Sequence, residues 1–340
     1  MPLERFTIQD FRLQNGGVLA RADIAYLTLG RLAPDGRNAI LMTHGYTSGP
    51  EYVVGEEGAS ENSWAELVGP GRAIDTDRTF VVSSNMLGSS FGSTNAASVD
   101  PATGRPYGSR FPEITLTDIV AAQHRLLTHL GVRHLVAVVG PSYGGFQAFA
   151  WAVTFPDFMD GIVAAVTSPK TPERGLEPPE ARLAQDPNWN GGDYYDRGGV
   201  LETMTRMRMQ TLRGYGIDAQ LAERVPDPAA REAALRRIAR AWAERFDANS
   251  LVILRRALRG YDVEPAFPRI RARVLYVLST TDSLFPTSLA EPVMSKLRAA
   301  GVRAEYVELD STYGHLASGR DAAKWAAALR GFVTSLGHRD

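Results

Sequence analysis

The chain reads as an α/β protein with a mainly parallel sheet, interrupted late in the sequence by a block of helices. Two observations predict this. Short apolar runs rich in β-branched residues alternate with helical patterns, and continuous runs of that length belong to strands buried on both faces. The alternation then stops after Ser168, and no strand pattern returns until about Pro268.

In chain order, residues 17–30 alternate loosely and are expected to form an antiparallel edge pair. Buried strands are expected at 38–44, 80–84, 134–140, 161–167 and 274–279, with a further strand at 304–309. Residues 117–130 form a helix stopped by Gly131, and residues 143–155 form another ended by Pro156. Strands alternating with helices predict a mainly parallel sheet flanked by helices. After Pro169-Lys170-Thr171-Pro172 the pattern is helical, with Arg-rich, partly amphipathic helices at 229–245 and 249–260. Helices inserted between two strands of one sheet are expected to cap the C-terminal edge of its strands. The core is therefore expected at 1–171 and 265–340, with a helical lid at 172–264.

Hydrophobic residues make up 44% of the 340 positions, enough for a sizeable core, and the formal net charge is −1. Lys and Arg form no tract, so the electrostatic footprint of a nucleic-acid binder is missing. Cysteine is absent, which excludes disulfides, thiolate metal sites and a cysteine nucleophile together and suits a reducing compartment. No apolar run follows the charges of Met1-Pro2-Leu3-Glu4-Arg5, and no stretch approaches the roughly 20 apolar residues of a membrane span. A cytoplasmic protein with no membrane partner is expected.

Gly140-Pro141-Ser142-Tyr143-Gly144 matches G-x-S-x-G at the end of an apolar strand and the start of a helix. That is the setting of the nucleophile in the α/β-hydrolase fold. There the serine sits on a tight, strained turn, and flanking glycines let neighbouring backbone pass where a Cβ would collide. The helix N-terminus also aims backbone N–H groups at a developing oxyanion.

A serine nucleophile needs a base, and the chain has six histidines. His124, His129 and His134 are five residues apart, which does not stack them on one helical face, so they are expected on the surface and not as metal ligands. His338 is in the terminal tail. His44 ends a strand in a loop, His44-Gly45-Tyr46-Thr47, of the kind that carries oxyanion donors. His315, in a loop after the strand at 304–309, remains as the base. Asp282, leaving the strand at 274–279, is the orienting carboxylate, with Asp310 as competitor. The chain order Ser…Asp…His is that of this fold. The N–H groups of Tyr46 and Tyr143 are the expected oxyanion donors.

These residues and several longer stretches resemble the homoserine O-acetyltransferase family. The stretches include Gly69-Pro70-Gly71-Arg72-Ala73-Ile74-Asp75-Thr76-Asp77-Arg78, Ser84-Asn85-Met86-Leu87-Gly88, Asp186-Pro187-Asn188-Trp189 and Arg245-Phe246-Asp247-Ala248-Asn249-Ser250. The resemblance implies a lidded α/β hydrolase, an acyl-serine intermediate, a dimer formed through the lid, and a triad of Ser142, Asp282 and His315. It also implies an aspartate after the triad histidine to meet the ammonium group of homoserine. Here that residue is Leu316. Position 143, usually methionine, is tyrosine. The lid arginine that the family uses for the substrate carboxylate has three candidates, Arg206, Arg208 and Arg213.

Losing a charge-assisted contact costs roughly 1.5–3 kcal/mol. The expected activity is therefore hydrolysis of short-chain esters such as acetates, through an acyl-Ser142 intermediate and with no metal or cofactor. The alternative is transfer of acetyl or succinyl from acyl-coenzyme A, as co-substrate, to homoserine or a related alcohol. A third reading, a catalytically silent binding protein, conflicts with a complete triad in the expected order. Trp189, Tyr194 and Tyr195 are expected near the pocket mouth or at a contact between subunits.

Overall fold

The computed structural model describes residues 2–55, 63–171 and 178–336. Residues 172–177, where the inserted block was expected to begin, and His338 lie outside the described residues. Eight strands form one sheet: β1 (Glu4–Arg12), β2 (Val18–Leu29), β3 (Ala39–Thr43), β4 (Phe80–Ser84), β5 (Leu135–Pro141), β6 (Met159–Ala165), β7 (Arg273–Ser279) and β8 (Ala304–Leu309). Their spatial order is β1-β2-β4-β3-β5-β6-β7-β8. β2 runs antiparallel to both of its neighbours, and every other pair is parallel.

The N-terminal expectation needs correcting. Residues 17–30 are not a pair of strands but one long strand, β2, whose partner β1 pairs Glu4 with Tyr26 through Arg12 with Val18. Asp10 adopts φ 47 inside β1, so the buried residues Ile8 and Phe11 fall three apart. That interruption hides the period of two by which a strand is recognised.

Four helices cover the two faces. α1 (Leu116–His129), α2 (Tyr143–Thr154) and α8 (Ala290–Ala299) pack on one face, and α9 (Ala322–Leu336) packs on the other with Tyr52 and Trp64. α1 starts at a capping box, in which Asp118 Oδ2 accepts the Thr115 N–H at 2.7 Å and Thr115 Oγ1 accepts the Asp118 N–H at 3.2 Å. Gly131, at φ 83, follows its last turn.

Between β6 and β7 the described chain adds no strand to the sheet. It forms α3 (Pro179–Leu183), α4 (Leu201–Gly214), α5 (Ile217–Arg224), α6 (Pro228–Ala243) and α7 (Ala248–Ala257). These helices meet the loops that leave the C-terminal ends of the strands. Arg208 of α4 and Trp242 of α6 hydrogen-bond Thr47 after β3, each at 2.8 Å. Tyr143 after β5 donates to the Leu254 carbonyl of α7 at 3.0 Å. Trp189 and Tyr194 are 6% and 7% exposed and pack with Met204, Phe246 and Leu251. They form an internal core of the block, with their rings stacked on each other and the Tyr194 hydroxyl donating to half-buried Asp247 at 2.7 Å.

Candidate active site

β5 ends at Pro141 and α2 begins at Tyr143, which leaves Ser142 alone in the turn at φ 54 and ψ −119. A non-glycine residue held there costs on the order of 1–3 kcal/mol, so its surroundings must impose it. The Ser142 N–H donates to the Ala165 carbonyl at 2.8 Å, and the Ser142 carbonyl accepts the Thr167 hydroxyl at 2.7 Å. The glycines on either side are a matter of space. A Cβ at Gly140 would fall 2.3 Å from the Thr43 carbonyl oxygen, and one at Gly144 2.2 Å from the same atom.

His315 and Asp282 converge on this serine from the loops after β8 and β7. His315 Nε2 is 2.9 Å from Ser142 Oγ, and His315 Nδ1 is 2.8 Å from Asp282 Oδ2. A carboxylate at Nδ1 keeps the proton on that nitrogen, which leaves Nε2 free to accept from the serine hydroxyl. Asp282 Oδ1 accepts the N–H groups of Leu284 at 2.8 Å and Phe285 at 3.3 Å. Burial alone would raise the Asp282 pKa, but the facing histidine and these donors outweigh it and hold the carboxyl below the ordinary carboxylate value. Asp310, the competing orienter, is exposed, and its backbone carbonyl accepts Lys324 Nζ at 2.8 Å.

The backbone amides of Tyr46 and Tyr143 flank the serine turn, and neither donates to another group among the described residues. His44, fully buried at the base of the Tyr46 loop, has Nδ1 2.8 Å from the Gly45 carbonyl and Nε2 2.9 Å from Asn85 Oδ1. Burial pushes its pKa down to about 4, against the raising effect of both hydrogen bonds, so the ring is neutral at pH 7.

A cleft of about 260 Å³ opens between the sheet loops and the inserted helices, lined among others by Tyr46, Arg208, Tyr215, Trp242, Arg255 and Leu284. Its Tyr215 ring centre lies 4.9 Å from that of His315, so one wall of the cleft packs against the histidine. Arg208 is 1% exposed, with its guanidinium 4.7 Å above the Trp242 ring. The other two candidate arginines lie elsewhere. Arg206 is exposed and bonds Thr203 Oγ1 at 2.8 Å, and exposed Arg213 pairs with Glu232. Leu316 is 2% exposed and packs among Met209, Leu212, Ile217 and Leu221 of the inserted helices.

The remaining histidines stand apart from this site. His129 is exposed and stacks on Phe6, and half-buried His124 stacks on Phe155. His134, expected on the surface, is instead 5% exposed, because it pairs with Asp160 at 2.9 Å beside β6. Among the described residues no group of three His, Cys, Asp or Glu could hold a metal ion, and no helix is long and apolar enough to cross a membrane.

The α/β hydrolase fold family matches residues 38–319. Homoserine O-acetyltransferase of Symbiobacterium thermophilum is 40% identical over 352 residues, covering 95% of this chain and 92% of that protein. The chain belongs to the homoserine O-acetyltransferase family. The same enzyme of Haemophilus influenzae is 38% identical over 331 residues, covering 91% of this chain and 92% of that protein. The solved structure of esterase E22 is 26% identical, with a TM-score of 0.87, 98% of this chain covered and 99% of that one. The resemblance read from the sequence is thus borne out, and the protein is an acyltransferase or esterase of the α/β-hydrolase fold.

In this family member the sequence reading passed over Tyr215, Trp242, Arg255 and Asn85. Asn85 stood inside one of the stretches that carried the resemblance, Ser84-Asn85-Met86-Leu87-Gly88, which was a usable signal. Tyr215, Trp242 and Arg255 carry no motif, and only the folding of the inserted helices brings them to the cleft.

Proposed function

We propose that the protein hydrolyses short-chain esters through an acyl-Ser142 intermediate. His315, oriented by Asp282, takes the Ser142 proton as Oγ bonds to the ester carbonyl carbon. The oxyanion so formed is met by the amides of Tyr46 and Tyr143. The carbon–oxygen bond to the alcohol then breaks, and His315 returns the proton to the departing oxygen. Water follows the same route: it gives a proton to His315 as its oxygen bonds to the acyl carbon, and the bond from that carbon to Ser142 Oγ then breaks as His315 returns the proton to Oγ, which frees the acid. The contacts at 2.9 and 2.8 Å along Ser142–His315–Asp282 support these roles.

The single observation that favours water over homoserine is Leu316. The residue after the histidine is apolar and buried in an apolar cluster, so it offers no charge to an ammonium group, and an unpaired buried cation is costly. One feature favours the second reading, transfer from acyl-coenzyme A to homoserine. Arg208 and Arg255 line the cleft, and a guanidinium suits a carboxylate. The two readings part on one comparison: acetyl release from a simple acetate ester, beside acetyl-coenzyme A consumption with and without homoserine. Hydrolysis predicts rapid ester turnover with little effect of homoserine. Saturable, many-fold acceleration by homoserine with O-acetylhomoserine accumulating makes the protein a transferase.

Under either reading the inserted helices act as a lid over Ser142, and the substrate is a small-molecule ester or acyl donor. We further propose a cytoplasmic enzyme that dimerises through these helices. A monomeric sedimentation profile at micromolar concentration would discard the dimer.

A further inference from the structure

The loop that carries His315 is held from two sides. On the sheet side, Thr281 Oγ1 accepts the Gly314 N–H at 3.0 Å and donates to the Ser311 carbonyl at 2.7 Å. From the inserted helices, the Tyr215 carbonyl, at the corner between α4 and α5, accepts the His315 N–H at 3.1 Å. Corner and loop approach through two glycines of positive φ, Gly216 at 91 and Gly314 at 55. A Cβ on Gly314 would lie 2.9 Å from the Tyr215 carbonyl oxygen, and one on Gly216 3.2 Å from that of Tyr313. Two side chains tie the same join. The Tyr313 hydroxyl donates to Glu223 Oε1 of α5 at 2.6 Å, and Leu316 inserts among the apolar residues of α4 and α5.

We infer that the Tyr215–Gly216 corner is a positioning element for His315, with Gly216 the residue whose lack of a side chain permits it. The inserted helices are therefore not a free flap. Swinging them away removes a backbone acceptor from the base, a hydroxyl anchor beside it and an apolar seat next to it. Gly216 acts through the Tyr215 carbonyl and the His315 backbone, not on the reacting atoms. Because Tyr215 also lines the cleft, a ligand there bears on the part that seats the base. The inference rests on His315 being the base of the proposed reaction.

Gly216→Ala tests it. The added Cβ strains the left-handed backbone and presses on the Tyr313 carbonyl, so the seat shifts by a fraction of an ångström. Misplacement on that scale is expected to lower kcat for p-nitrophenyl acetate about tenfold, with KM within about twofold of the parent. The downfield NMR resonance of the proton between His315 and Asp282 should broaden or vanish, whereas a change confined to substrate entry would move KM and leave that resonance in place. Parent kcat with an unchanged resonance overturns the inference. Should Gly216→Ala fail to fold, Tyr313→Phe decides: it removes one hydroxyl, and the expected loss in kcat is about threefold. Parent kcat there overturns the inference equally. Ser142→Ala separates this from the functional reading. Activity surviving in Ser142→Ala sinks the reaction itself, whereas activity dependent on Ser142 but indifferent to the corner sinks only the positioning role.

Discussion

Taking the protein from about pH 7.5 to about pH 4.5 should remove roughly 2.5 kcal/mol of stability through His44 alone. The ring is fully buried, and its pKa falls from the ordinary 6.5 to about 4 on folding. Between those values the unfolded chain binds a proton that the folded chain refuses. Stability is therefore complete above about pH 6.5 and is lost as pH falls toward 4, at about 1.36 kcal/mol per unit. Asp282 also loses stabilisation in acid, but its folded pKa is depressed, so that loss comes below the ordinary carboxylate value, outside this window. Urea unfolding of the parent and of His44→Gln at both pH values isolates the effect. The variant should start about 1–3 kcal/mol less stable, since it disturbs the bonds to Gly45, Asn85 and Met86. It should then lose about 2.5 kcal/mol less than the parent on acidification. If both lose stability in parallel between the two pH values, His44 is not held neutral and the argument fails.

Two further outcomes follow from the site. Asp282→Asn should lower kcat by up to about 10⁴-fold, because the amide no longer enforces the useful imidazole tautomer, while Asp310→Asn, altering an exposed side chain, should remain within about twofold. Comparable losses in steady-state ester hydrolysis would reassign the orienting carboxylate. Gly144→Ala should cost about 3 kcal/mol or more in a denaturant titration, since its Cβ meets the Thr43 carbonyl oxygen at 2.2 Å and neither backbone segment can yield. A variant as stable as the parent would show that the serine turn is looser than described.

Much of this was legible in the sequence, for identifiable reasons. β3, β4, β5 and β7 are continuous apolar runs because both faces of the sheet are covered, and burial on both sides writes itself into every residue. The cluster of Ser142, His315 and Asp282 was legible because each member leaves the end of a strand, where position along the chain and position in space coincide. β1 was missed because Asp10 breaks its alternation. α4 escaped notice because its buried face is Thr203, Met204, Thr205, Arg208, Met209 and Leu212, a stripe in which a buried arginine and threonines stand where aliphatic residues mark a core helix. Leu316 shows the limit most clearly. Its identity was informative about charge, but its neighbours come from helices far upstream in sequence, between Met209 and Ala239, and adjacency to His315 could not reveal that apolar cluster.

The central claim is that Ser142 carries the acyl group, and a quenched reaction with p-nitrophenyl acetate tests it most directly. Mass spectrometry of the acid-stopped protein should find one acetyl group, on the peptide containing Ser142, in the parent and in none of the Ser142→Ala sample. His315→Ala should form that adduct far more slowly, since the serine then lacks its base. An acetyl group on another residue during turnover, or ester hydrolysis at the parent rate in Ser142→Ala, would contradict the account.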